Sequence, residues 1–369
     1  MMRGFWAILR KEAIQMARDR GTLRFALFIP VFQLVLFGLI DTNVRHVPTA
    51  IFDQSRTAQS RELITDFVNT SLFDVVTDVP SRQALREAIV AGRASVGIEI
   101  PPDFARRRVD GSSADFLVLV DGSDATVSAQ TLAAVNGLSL SQSLDAITHK
   151  YGITGLPLVS SPLLLFNPDS RSANLLIPGL IAILLTFSGT LLSSFSIVRE
   201  RERGTLEQLM VTPASPAAVM AGKLLPYLGL GFAQLLIVLP IMALAFRVPI
   251  HGSLMLLLAL SVVYLFALLA MGLLVSSRSD TQMEAIQRSQ LVLLPAFLLS
   301  GYVFPLASLP RLLRYFSTLL PATHFIAISR GIIIRGAGFA DLWPHVAQLL
   351  ALCAVLIALS ARAIRKTIS

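Results

Sequence analysis

Between Arg199 and Glu207 the chain places three arginines and three glutamates in the run RERERGTLE. Opposite charges three or four residues apart, Glu200 with Arg203 and Arg203 with Glu207, steady a helix by only a few tenths of a kcal/mol per pair. That gain is too small to account for so dense a cluster. Side chains of this kind suit gripping a second polypeptide rather than making or breaking bonds. The plainer reading is a snorkelling charged anchor followed by an ordinary loop.

The other groups that could do chemistry are isolated. AAVMAGKL (217–224) approaches a phosphate-binding loop but has Ala217 where the first glycine belongs and Leu224 where Ser or Thr belongs. Nucleotide hydrolysis would then fall to a separate polypeptide. Asp121 and Asp124 in DGSD lack the further ligands and terminal Glu of a calcium loop, so they predict a turn and a helix cap. His149 and His324 have no partner at ligand spacing and are expected to be structural. Ser188 and Ser300 have no histidine to activate them. ARRRVD (105–110) could meet an anionic partner but is expected to be a solvated face, and Cys353 stands alone, which excludes disulfides and cysteine-rich metal sites. No catalytic, cofactor-binding or metal residue is assigned to this chain.

What must position the charge cluster is a membrane-like frame. Only 15% of the 369 residues are charged, 54% are hydrophobic, and the mean hydropathy is +0.68. Stretches near the roughly 20 apolar residues that a span needs fall at 22–40, 174–198, 224–246, 254–275, 289–306 and 346–363. The fifth is interrupted by Pro295, Gly301 and Pro305. Residues 1–24, 199–223, 276–288 and 362–369 carry 15 Lys and Arg, against five in the loops 247–253 and 307–345. The richer side is expected to be cytoplasmic, with both termini inside. The net charge of +8 is therefore topological and not a nucleic-acid footprint. No cleavable signal is expected before the first span, which reads as a retained anchor.

Residues 41–173 are polar, with 15 acidic and 11 basic side chains. Strand-like runs VPTAIFD, FDVVTDV, ASVGIEI and ADFLVLV alternate with helical patterns, which predicts an inserted α/β domain outside the membrane. Ser81 and Gly92 mark a helix start and stop.

Four smaller pieces complete the frame. Residues 1–21, with Phe5, Ile8, Leu9 and Glu12 at helical spacing and Arg10 and Lys11 beside them, predict an amphipathic helix on the inner surface. After the second span, Gly204 breaks the helix and Thr205–Gln208 forms a capping box, making 199–223 an elbow. The inner loop 276–288 spaces Asp280, Glu284 and Arg288 by four. Residues 307–345 read as an outer helical hairpin tucked into the membrane without crossing it, and 364–369 as a cytoplasmic tail. Spans almost free of ionisable groups argue against ion coupling and suit an amphiphilic or hydrophobic cargo.

VRERERGTLEQLMVTPASP resembles the signature of ABC-2 type permeases, the membrane subunits of ATP-driven exporters. NLLIPGLIAILL (174–185) resembles the family's second-span entry. GYVFPLASLPRLLRYFSTLLPATHFIAISRGIIIRGAG (301–338) resembles its fifth span and outer hairpin. The resemblance implies a polytopic α-helical membrane protein with six transmembrane helices, of the type V exporter kind, in the subgroup with a large extracytoplasmic domain between the first two spans. It implies an ATPase-coupling role for Arg199, Glu200, Arg201, Glu202, Arg203, Gly204, Thr205, Leu206, Glu207 and Leu209. Arg10, Lys11, Asp280 and Glu284 become secondary contacts with the ATPase. ATP and magnesium would sit on that cytoplasmic subunit. A second permease copy or paralogue, membrane lipid and a periplasmic adaptor are the other expected partners, in a bacterial inner membrane, with drug efflux as the expected role. The alternative is a membrane-anchored receptor or scaffold whose outer domain binds a ligand.

Overall fold

The computed structural model describes residues 2–40, 44–110, 113–151, 166–169, 171–205 and 216–368. The chain divides into two units, Met1–Asp41 with Leu164–Ser369, and Thr42–Leu163. The first begins with α1 (Met2–Arg18) and, past a break at Asp19, α2 (Arg20–Leu39).

The second unit is a four-stranded mixed sheet with helices on both faces. Its elements are β1 (Val47–Asp53), α3 (Ala58–Asn69), β2 (Phe73–Asp78), α4 (Arg82–Val90), β3 (Val96–Ile100), α5 (Phe104–Val109), β4 (Leu117–Val120) and α6 (Ala125–Tyr151). Strand order is β2-β1-β3-β4, with β1 parallel to β2 and β3, and β4 antiparallel to β3. Alternation assigns the faces. Val96, Ile98 and Ile100 pack with Leu63 and Phe67 of α3 and Phe104 of α5. On the other face Ala50 packs with Leu85 and Ala88 of α4. Gly97 admits α4 so closely that a Cβ there would lie 2.9 Å from Leu85 Cγ. Buried Glu99 is held by a forked contact with Arg82 at 2.6 and 2.8 Å. The caps read from sequence form: Ser81 accepts from the Ala84 amide, Asp124 from those of Thr126 and Val127, and Gly92 stops α4 at φ +68°.

The helical unit resumes with α7 (Ser172–Glu202), α8 (Pro216–Leu244), α9 (Leu254–Ser277), α10 (Gln282–Leu299), α11 (Arg311–Thr318), α12 (Pro321–Ile333) and α13 (Phe339–Ile368). Helix α7 is the hub, packed against α2, α8, α9, α10 and α12. Small residues let it be one. Gly272 of α9 lies where a Cβ would stand 1.9 Å from Ser193 Oγ and 2.3 Å from the Thr190 carbonyl. Close approach through small side chains and interhelical hydrogen bonds is how helices associate without a hydrophobic drive between them. Tyr264 of α9 donates to the Ala182 carbonyl at 3.0 Å and stacks on Phe325 with centroids 4.2 Å apart.

Among the described residues four helices are long and apolar enough to cross a membrane: Ser172–Glu202, Ala218–Leu244, Leu254–Ser277 and Phe339–Ala363. A fifth exists if α11 and α12, bent by 81°, count as one span. By length and apolarity the described helices thus give four or five spans, and a sixth is not among them. The first expected span has an apolar helix of only Ala26–Leu39. The fifth begins early, at Gln282 with polar Glu284 and Arg288, and stops at Leu299 ahead of Gly301 in the left-handed region at φ +85°.

Candidate coupling site

Helix α1 has an apolar stripe, and Glu12 falls on it, one turn beyond Ile8. Ile8 is 7% exposed and Glu12 5%. The stripe packs on α8 at Gly222, where a Cβ would stand 2.9 Å from Ile8 Cγ2. That approach brings the next residue, Lys223, onto Glu12. The ammonium donates to Glu12 Oε1 at 2.9 Å and to the Ser196 carbonyl of α7 at 3.0 Å. Its third neighbour is Glu200 Oε2, 3.0 Å away as an ion pair. Lys11 reaches the other oxygen of Glu200 from the α1 side. Beside this knot Arg199 pairs with Asp19 at 3.5 Å. Three cations thus meet three anions, so the site is neutral as a whole. Next in sequence to Lys223 and Ser196, Leu224 and Ile197 belong to an apolar cluster with Tyr227, Leu273 and Ala26.

A second lacing joins the end of α7 to the α9–α10 loop. Arg201 donates to the Ser279 carbonyl at 2.5 Å and to Asp280 at 2.8 Å. Glu202 accepts from the backbone and side-chain amides of Gln282. Thr281 caps α10, and Glu284 pairs with Arg288 at 2.7 Å. The Asp280 amide, 2.7 Å from Glu284, holds that carboxyl below the usual carboxylate range, with Arg288 adding to the effect. Within α9, Ser276 Oγ accepts from the Ile197 and Val198 amides of α7 at 3.0 and 3.2 Å.

The sequence-predicted residues separate into three groups. Glu200 is internal and Arg199 largely so. The expected Glu200–Arg203 pair is absent. Helix α7 ends at Glu202, Arg203 lies in the turn beyond it, and the buried Lys223 ammonium is the nearer cation. Arg10, Lys11, Glu202, Arg203, Gly204 and Asp280 are exposed, and Gly204 at φ +66° has open space around its Cα. Thr205 returns its hydroxyl to the Glu200 carbonyl at 3.3 Å. Leu206, Glu207 and Leu209, with Gln208 of the capping box, lie outside the described residues. Sequence reasoning missed Lys223 as a partner. Its signal was a lysine at the head of an apolar span, matched by an acid on the apolar stripe of α1.

Chemically the site is a lock. Lys223 donates to Glu12 and to the Ser196 carbonyl and is ion-paired with Glu200, so its charge is answered between the helices. A buried ion pair adds little stability over an apolar contact of the same volume, yet removing one partner costs about 3–5 kcal/mol. It fixes an arrangement. Here it fixes α1, the end of α7 and the start of α8 to one another.

A profile described as ABC-2 family transporter protein matches residues 20–362. The chain belongs to the ABC-2 transporter family. This ABC-2 chain is 32% identical over 363 residues to "Probable multidrug ABC transporter permease YbhR" of Escherichia coli (strain K12), covering 96% of each protein. It is 30% identical over 337 residues to YbhS, of the same description and strain, covering 89% of this chain and 88% of YbhS. "ABC transporter G family member 20" of Dictyostelium discoideum is 27% identical over 346 residues, which is 91% of the ABC-2 chain and 47% of that protein. Similarity running end to end along permeases disfavours the anchored receptor or scaffold.

Proposed function

We propose that this chain is the membrane-spanning permease subunit of a multidrug-type ATP-driven exporter in a bacterial inner membrane. It pairs with a separate cytoplasmic ATPase that carries ATP and magnesium, and with a second permease, identical or paralogous. The cargo is amphiphilic or hydrophobic. Six spans cross the membrane if α2 and the α10 segment are each completed by short flanking residues. The excess of Lys and Arg on one side puts both termini inside and Thr42–Leu163 outside, where a periplasmic adaptor could dock. The multidrug description of the E. coli relatives supports the cargo class.

The observation that carries the coupling role is the Lys223 knot. It ties an amphipathic helix, α1, to the ends of two apolar helices, α7 and α8. A push by the ATPase on α1 or on the elbow after Glu202 is thereby delivered to both spans at once. Glu202, Arg203 and Gly204, together with Arg10, Lys11 and Asp280, form the outer contact, while Glu200 and Arg199 form the transmission behind it. Glu284 steadies the loop that carries Asp280.

The test reverses the outer charges only. Glu202→Arg with Arg203→Glu should leave the permease folded but release the ATPase, or abolish its stimulation by cargo. Intact complex with unchanged cargo-stimulated hydrolysis would refute the role of the elbow.

A further inference from the structure

His324, in the first turn of α12, is 2% exposed. Its Nε2 lies 2.8 Å from the Thr318 carbonyl. A carbonyl only accepts, so Nε2 carries the proton and Nδ1 carries the lone pair. That Nδ1 is buried with no hydrogen-bond partner. His345, 21 residues on and in the second turn of α13, is half-buried, and its Nδ1 is likewise buried without a partner. The two ring centroids lie 5.9 Å apart, with the planes tilted by 42°. An unsatisfied nitrogen on each of two neighbouring rings calls for an explanation, since buried polar atoms normally find partners.

We propose that His324 and His345 form a two-coordinate site for a soft monovalent metal ion, Cu+ in chemical class. At about 2 Å per metal–nitrogen bond, two imidazoles sharing one ion have ring centres no more than roughly 6 Å apart. The observed separation falls within that bound. A ring whose other nitrogen donates to a backbone carbonyl is the usual support of a metal-bound histidine. No group of three His, Cys, Asp or Glu exists among the described residues, so the four-ligand set that zinc prefers is not assembled here. The positive charge of Arg335 also acts on His345. It repels a divalent ion more than a monovalent one, and desolvation penalises a divalent ion further. Ligation would staple α12 to α13 through their N-terminal turns.

The test uses the full-length protein in detergent with its affinity tag removed. Cu+ is supplied anaerobically in competition with a chromophoric chelator, and Zn2+ is titrated in parallel. The expected result is one equivalent of Cu+ per chain, held at least tenfold more weakly by His345→Ala and by His324→Ala. Cu+ should raise the melting temperature of the parent and leave that of His345→Ala unmoved. His345 is half-buried, so its variant keeps the test alive should His324→Ala misfold. Equal Cu+ affinity in parent and His345→Ala, or tighter binding of Zn2+ than of Cu+, overturns the assignment.

Discussion

Lys223 Nζ lies 2.9 Å from Glu12 Oε1, although 211 residues separate the two in sequence. Nothing local puts them together. The contact follows from the missing Cβ at Gly222, which lets the apolar stripe of α1 settle against α8.

Lys223→Met removes the only cation that, among the described residues, pairs with both Glu12 and Glu200, and strands Glu12. The expected loss is about 3–5 kcal/mol of unfolding free energy, read by denaturant titration in mixed micelles. Adding Glu12→Gln and Glu200→Gln should return at least half of it. A single variant as stable as the parent would mean that the site is hydrated.

Gly272→Ala should force α7 and α9 apart. The new methyl would meet Thr190's carbonyl at 2.3 Å, and backbone cannot rotate away. Overpacking of this kind costs about 1–3 kcal/mol. Ser193→Ala in the same chain relieves the hydroxyl clash alone, so the double variant should recover only part of the melting temperature.

Arg201→Ala is expected to separate coupling from stability. Its partner Asp280 is 83% exposed, so the pair contributes at most about 1 kcal/mol. Melting should barely move, while hydrolysis by the associated ATPase loses its response to cargo. Parent-like stimulation would remove Arg201 from the coupling path.

Glu284 supplies a pH signature. Its carboxyl is held below the usual range, so the contact with the Asp280 amide is fully present above that range and is lost as pH falls through the lowered value. Hydrogen exchange at the Asp280 amide, corrected for intrinsic rate, should accelerate as the solution is acidified. Glu284→Gln should flatten that dependence.

Much of this is legible in the sequence because the cues are local. Ser81, Asp124 and Gly92 act on neighbours within four residues, and each does what its type predicts. The four strands announced themselves through β-branched runs between turns. Glu12 was visible too, as an acid on an apolar stripe. Its purpose was not, because the answering lysine lies across the chain. Glu200 shows the same limit. In sequence its neighbours are Arg199, Arg201 and Arg203, yet its charge is met by Lys11 and Lys223. Helix pairing through Gly272 and Ser193, and the meeting of His324 with His345, depend on how helices stack. One sequence does not encode that stacking in any nearby spacing.

The 211 residues between Glu12 and Lys223 also impose an order in time. At ribosomal rates of about 5–20 residues per second, Glu12 waits roughly 10–40 s for its cation to be synthesised. Until α8 emerges, α1 bears an acid on the face it must eventually bury, with Lys223 not yet there to answer it. Each newborn chain therefore passes through an interval in which its first helix is present but unlocked. The arrival of one lysine ends that interval.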